Sequence, residues 1–273
     1  MKSVIAETLK LETEPVALVW ANAVPEDAIR FKPQHWGCSI SLFAAAAARG
    51  LSGVLERKSY GCWGGGVGLG FGNQYEKFPG GVDCFYRFLS QGNESVEEGR
   101  ALGEEMKSSG WSRMADDFLK GERYIKNPEA TRRFVEALPM RDIPVDFVLI
   151  KPLEQADPER EDIKNVTLFV DADRLAALVN LASCERPEAE NVIVPWAAAC
   201  QVVGIFAYRE LEREHPRGLI GLMDISARKN VRASLGPHAL SFTAPWPLFQ
   251  EMEQNVKGSF LERETWRFLR ENA

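Results

Sequence analysis

The sequence predicts an α/β or α+β fold, a mixed sheet with helices packed on it. Three observations carry this. Short apolar, partly β-branched runs recur, as in Pro15-Val16-Ala17-Leu18-Val19-Trp20, Asp146-Phe147-Val148-Leu149-Ile150-Lys151 and Asn165-Val166-Thr167-Leu168-Phe169-Val170. Longer helical patterns with recognisable caps lie between them. Tandem repeats, low-complexity tracts and long linkers are absent. The 273 residues suit a single domain, 1–273, in which two lobes share one core. The candidate lobes are 1–140, helical and carrying a glycine-rich loop, and 141–273, mixed strand and helix. The boundary falls near Pro139–Pro144.

Residues 1–10 read as a short amphipathic helix, followed by the strand from Pro15. Trp36 to Phe43 leads into the alanines 44–48, with Gly50 as a helix stop. Val54 to Tyr60 reads as a short strand. Asp83 to Leu89 is apolar and of undecided type. Val96 to Ser108 and Trp111 to Lys120 are helical, and Asn127-Pro128 opens a helix toward Leu138, with Asn as cap and Pro at the first helical position. In the second half, strands are expected at 146–151 and 165–170, with a charged turn from Asp157 to Asp162. Asp171 is expected to cap a helix at 172–183. Val192 to Pro195 ends a strand, and 197–212 is helical. Gly218 to Ser226 and Ala239 to Thr243 read as strands, and Trp246 to Lys257 as a helix. Ser259-Phe260-Leu261-Glu262 is a capping box for the last helix.

Net charge is −6 and the sequence pI is about 5.4. That balance excludes the basic footprint expected of a nucleic-acid binder. No apolar run approaches the ~18 residues of a membrane span, and the start Met1-Lys2-Ser3-Val4-Ile5-Ala6-Glu7 has no leader pattern. The expectation is a cytoplasmic protein with no membrane or nucleic-acid partner. Its partners would be a small molecule or a redox protein, with a homo-oligomer as a further possibility.

Glycine concentrates in one place. Nine of the 22 glycines fall between Gly61 and Gly81. The dinucleotide pattern G-x-G-x-x-G fails in every register, since the third position holds Leu69, Phe71 or Asn73. No Gly-Lys-Ser/Thr occurs. The alternation Gly66-x-Gly68-x-Gly70-x-Gly72 suggests a strand whose bare face meets a ligand or another backbone. A tight crossing with no ligand is the structural alternative. Gly64, Gly65 and Gly66 are the candidate ligand-facing positions. Arg228 and Lys229, in the basic run 227–232 after an expected strand, are candidates for holding a carboxylate or phosphate. A solvated basic turn is the plain alternative. G-x-S-x-G and H-E-x-x-H are absent. His215 and His238 read as solvated and loop residues, and His35 stands three residues before Cys38.

The five cysteines are Cys38, Cys62, Cys84, Cys184 and Cys200, with no C-x-x-C pair. An odd count disfavours a disulfide framework, so any shared site must be assembled by the fold. Cys38 and Cys200 open helices, where a thiolate is stabilised, and Cys62 opens the glycine loop. Trp36, Trp63 and Trp196 lie within four residues of these three. Together they suggest three thiolates in an apolar shell holding an iron–sulfur cluster or metal, with Cys84 as the candidate fourth ligand. Buried, unliganded cysteines are the competing reading. Cys184 is expected to pack late in a helix.

These motifs resemble a known family. The matching features are Pro15-Val16-Ala17, Cys38 before the alanine-rich helix, Cys62 with its glycine loop, and Gly121-Glu122-Arg123. They continue with Val194-Pro195 before Ala199-Cys200-Gln201, and Asp224-Ile225-Ser226-Ala227-Arg228-Lys229. Together they resemble domain of unknown function family 169, the uncharacterised ArCR family of archaea and anaerobic bacteria. The resemblance implies one full-length domain in a cytoplasmic, often anaerobic setting, and it picks out Cys38, Cys62 and Cys200 above Cys84 and Cys184. The leading functional expectation is a redox or sensory protein with a cysteine-held iron–sulfur cluster. The alternative is a metal-free small-molecule binder whose pocket is lined by the glycine loop and tryptophans. A catalytic residue is not identified.

Overall fold

The computed structural model describes residues 1–32, 36–109 and 111–271. Helix α1 (Val4–Leu9) and strand β1 (Val16–Ala21) come first, then β2 (Ile29–Arg30), α2 (Ile40–Arg49) and β3 (Gly53–Glu56). Five helices follow: α3 (Trp63–Gly68), α4 (Val82–Phe88), α5 (Glu97–Lys107), α6 (Ser112–Lys120) and α7 (Pro128–Glu136). The chain continues through β4 (Phe147–Pro152), β5 (Asp162–Val170), α8 (Ala172–Ala182) and β6 (Val192–Ile193). One helical run then comprises α9 (Ala199–Gln201), a π-helical segment (Val202–Phe206) and α10 (Ala207–Glu210). It is succeeded by β7 (Gly218–Gly221), α11 (Ile225–Leu235), β8 (Leu240–Pro245), α12 (Trp246–Gln254) and α13 (Glu264–Glu271).

The strands form one mixed eight-stranded sheet in the order β2-β3-β4-β1-β5-β8-β7-β6. The two outermost pairs, β2 with β3 and β6 with β7, are parallel, and the inner pairs are antiparallel. Strands from both halves of the chain interleave, since β1 lies between β4 and β5. This is the α/β fold the sequence predicts.

Side-chain alternation splits the core into two layers. Val16, Leu18, Val148 and Ile150 face a large layer with α2, the glycine-rich segment and the π-helical run. Ala17, Val19, Leu149, Val166 and Leu168 face the other side, against α1, α8 and α12. The central strands carry buried polar residues on the first face. Thr167 and Thr243 bond across strands at 2.9 Å, and Asn165 Nδ2 donates to Val203 O at 2.9 Å. That carbonyl belongs to the π-helical segment, where the usual i→i−4 ladder is interrupted.

Caps define the starts of helices as the sequence predicts at Asn127 and Asp171, whose side chains accept from Ala130 N and Arg174 N. Three expectations are corrected, and one open segment gains its assignment. Of the alternating glycines, Gly66 and Gly68 lie in a helix, α3, where their bare faces pack against the Gln74 and Tyr60 side chains and the Cys200–Gln201 backbone, while Gly70 and Gly72 follow it with φ 96° and 75°. The undecided segment at 83–89 is helical as α4. The basic run 227–232 lies inside α11, because Asp224 caps it through Ala227 N. Ser259 caps a single 3₁₀ turn, Phe260–Glu262, ahead of α13. Among the described residues, no helix is long and apolar enough to cross a membrane.

Candidate thiol and carboxyl centre

Cys38 and Cys62 each follow a glycine, and the two glycines meet. Gly37 N–H donates to Gly61 O at 3.1 Å. Gly61 has φ 81° and a Cβ there would stand 2.7 Å from Gly37 O, so both the dihedral and the contact require glycine. Ser39 Oγ donates to Tyr60 O at 2.7 Å and lies 3.6 Å from Cys62 Sγ. Segments 37–39 and 60–62 are thereby stitched together at the starts of α2 and α3.

Cys62 is the N-cap of α3, and its sulfur accepts from Gly65 N at 3.3 Å. Cys200, in the first turn of α9, donates its thiol hydrogen to Gly64 O at 3.1 Å. The two sulfurs therefore flank one peptide unit, Gly64–Gly65, and stand no more than about 9 Å apart given ordinary peptide dimensions. Asp224 closes the group. Its carboxylate is supported by the N–H groups of Ala227, Ser226 and Ala199, which ties α11 to the start of α9. β3 and β7 run in opposite directions, yet the helices that follow them, α3 and α11, begin at this same place.

The electrostatics are one-sided. Burial, then Cys62, pushes the Cys38 thiol up to about 12, against support from the N–H groups of Ile40 and Ser41. Burial, then Cys62, Cys38 and Asp224, holds the Cys200 thiol well above its ordinary value. Burial raises Asp224, and it raises Glu122 to about 7. Glu122 accepts from Ser226 Oγ at 2.5 Å, and Tyr124 Oη, 3.0 Å from the same hydroxyl, accepts from Ser226 N at 2.9 Å. Loop 121–125 is thus bound to the start of α11. Among the described residues, neither Asp224 nor Glu122 pairs with a lysine or arginine. Around Cys62, the buried Cys200 and the half-buried Cys38, Asp224 and Glu122 have no lysine or arginine paired with them among the described residues, so the neutral forms of these four are favoured unless a positive partner is present.

The glycines divide by role. A Cβ on Gly65 would overlap Ser39 Oγ at 1.8 Å, and one on Gly66 would stand 2.8 Å from Gln74 and 2.9 Å from Tyr60. One on Gly68 would stand 2.8 Å from the Cys200–Gln201 backbone. These three serve close packing. Gly64 differs: a Cβ there would meet only Cys200 Sγ, at 4.0 Å. It is half-buried and open on the side that faces the sulfur.

Other sequence candidates fall elsewhere. Cys84 is buried on α4, where Arg87, Asp83 and Glu98 are the charges acting on it, so the fold does not deliver it to the other three. Cys184 is exposed just beyond α8 and is not a packing residue. The Arg228 guanidinium is occupied by the carbonyls of Leu222, Ala239 and Pro237, closing the turn after α11. Lys229 points to solvent on that helix. Trp63 supplies part of the apolar shell, with its ring 4.8 Å from Phe78 and 5.2 Å from Trp111, whereas Trp36 and Trp196 are exposed. His35 lies outside the described residues. Sequence reading missed Asp224 as a site residue, although Asp before Ile225-Ser226-Ala227 is a helix-cap signal. It also missed Ser39, for which no local signal exists.

Among the described residues, no group of three or more His, Cys, Asp or Glu side chains is gathered tightly enough to hold a metal ion. The fold is that of a mixed-sheet α/β protein, and its candidate site is a partly buried group of thiols and carboxyls. Residues 4–255 match the DUF169 family, described as Uncharacterised ArCR, and the chain belongs to that family. Neither the curated proteins nor the solved structures contain a match to it.

Proposed function

We propose that this is a cytoplasmic redox or sensory protein in which Cys38, Cys62 and Cys200 hold an iron–sulfur cluster. The observation that carries the reading is the gathering of these thiols, Cys200 buried and Cys38 and Cys62 half-buried, with Asp224 and, among the described residues, no lysine or arginine paired with it. Such a group favours a positively charged occupant. Ligating sulfurs of one cluster stand roughly 6–7 Å apart, which is compatible with the upper limit of about 9 Å that the Gly64–Gly65 peptide sets for Cys62 and Cys200. The bare side of Gly64 supplies room beside Cys200.

The residues present supply three thiolates and, in Asp224, one carboxylate for the remaining position. The N–H groups of Ile40, Ser41 and Gly65 would compensate charge on sulfur. When bound, the cluster would supply electron transfer or a Lewis-acid site. A metal-free pocket for an anionic organic ligand is less favoured, because Arg228, its best anchor, is spent on three carbonyls. Anaerobic purification, followed by iron and sulfide analysis before and after reconstitution, tests the proposal. Colourless protein that takes up neither element under those conditions would sink it.

A further inference from the structure

Exposed apolar side chains gather where the thiols do. Among the described residues, eight large hydrophobic side chains are exposed, and four of them stand on the segments that carry the centre. Trp36 comes two residues before Cys38, Val194 and Trp196 lead into Cys200, and Ile225 follows Asp224. The last two segments touch, because the Asp224 carboxylate takes the N–H of Ala199. The Trp196 ring also lies 4.9 Å from that of Phe134 on α7. Ile225 is 63% exposed in the first turn of α11, and Trp196 is 48% exposed. Scattered exposed hydrophobics are ordinary, whereas half of them at one place mark a contact surface.

Cations surround this patch. Arg123 lies between Glu122 and Tyr124, both bonded to Ser226, the residue after Ile225. Lys126 follows two residues after Tyr124, and Lys229 stands one turn beyond Ile225 on α11. All three are exposed, and among the described residues none of them is in an ion pair. The neighbouring carboxyls are engaged elsewhere: Glu122 and Asp224 are half-buried against Ser226 and backbone N–H groups, and Glu129 pairs with Arg132. The rim is therefore positive on a chain of net charge −6. That sign decides between occupants. A second copy seated through the same patch would bring like charges together. A lipid surface is ordinarily held by an amphipathic helix lying flat, and here the apolar residues come from three separate segments. An acidic polypeptide matches both the charge and the apolar side chains.

We infer that this surface docks an acidic polypeptide segment, with its apolar side chains on Trp196 and Ile225 and its carboxylates on Arg123, Lys126 and Lys229. The surface is present whatever the centre holds, so the inference stands apart from the proposed cluster.

Immobilised metal-free protein, screened at low salt with phage displaying random dodecapeptides, tests it. The selected sequences are expected to carry aspartate or glutamate around an aromatic or branched aliphatic residue. A labelled synthetic peptide of that consensus is expected to bind Trp196→Ser and Ile225→Ser at least about tenfold more weakly than wild type. Lys229→Glu is expected to weaken it at least about fivefold, and raising the salt to about 0.5 M to weaken it further. Ile225 and Lys229 are exposed, so these variants remain informative if Trp196→Ser, which loses the Phe134 contact, fails to fold. No enriched sequence, a consensus without acidic residues, or unchanged affinity in folded Ile225→Ser and Lys229→Glu would overturn the inference. Sedimentation with phosphatidylglycerol vesicles that Ile225→Ser abolishes would overturn it in favour of an anionic membrane. Dimerisation that Ile225→Ser abolishes would overturn it in favour of a second copy.

Discussion

Gly204 presses on Gly68 backbone to backbone: a Cβ built on Gly204 would stand 2.0 Å from Gly68 O. This contact sets how closely the π-helical run can approach α3, and hence how Cys200 reaches Gly64 O. Backbone cannot step aside as a flexible side chain can. Gly204→Ala is therefore expected to destabilise the protein by about 3 kcal/mol, the upper part of the range for overpacking. Chemical denaturation with an unchanged m-value would measure it. A loss below 0.5 kcal/mol (about half the smallest usual overpacking penalty) would mean that the two segments separate easily.

Gly64→Ala should behave in the opposite way. Its nearest neighbour outside the helix would be Cys200 Sγ at 4.0 Å, an ordinary contact. Replacing glycine by alanine in a helix gains roughly 0.5–1 kcal/mol, with less expected so near the end of α3. The metal-free protein is thus expected to be slightly more stable. The added methyl fills the open side next to Cys200, so iron and sulfide uptake is expected to fall at least about threefold (roughly 0.7 kcal/mol). Denaturation and iron analysis on the same preparation would show whether stability and uptake part in this way.

The contrast between these two glycines explains what sequence could tell. Strands such as Val16–Ala21 and helices such as Pro128–Glu136 were legible because periodicity and caps are local. The glycine segment is legible as unusual, and its alternation reads as a strand. Its first part, to Gly68, is a helix in which bare faces meet particular partners: Ser39 at Gly65, Gln74 and Tyr60 at Gly66, and Cys200–Gln201 at Gly68. Those partners come from other parts of the chain. Likewise Cys38 and Cys200 stand out in sequence at helix starts and Cys62 at the mouth of the glycine loop, but Cys84, the candidate fourth ligand, is carried away on α4. The route of the chain between β7 and α11, which brings Asp224 to Ala199, follows from tertiary packing that no short window contains.

That separation of Cys84 gives a direct test. Cys84→Ser and Cys184→Ser are expected to leave iron and sulfide content unchanged after anaerobic reconstitution. Cys38→Ser, Cys62→Ser and Cys200→Ser are each expected to reduce it at least about tenfold, or roughly 1.4 kcal/mol of binding. Cys200→Ser needs a folding control, because the buried thiol also bonds to Gly64 O. Loss of iron in Cys84→Ser with a retained fold would return that residue to the ligand set.

Glu122 gives the site a pH signature. Burial raises its carboxyl to about 7 from an ordinary value of 4.5, against the hydrogen bond from Ser226. The folded state therefore binds this proton more tightly than the unfolded chain. Stability from the protonated group is fully present below about 4.5 and is lost as pH rises toward and through about 7. Asp224, also raised, acts with the same sign from a lower starting point. Glu122→Gln keeps a neutral hydrogen-bonding side chain and removes the titration. Relative to this variant, wild type is expected to lose about 2–3 kcal/mol between pH 4.5 and pH 8. Denaturant midpoints across that range would measure the difference. Parallel stability curves for the two proteins would show that Glu122 reaches water more freely than its contacts imply.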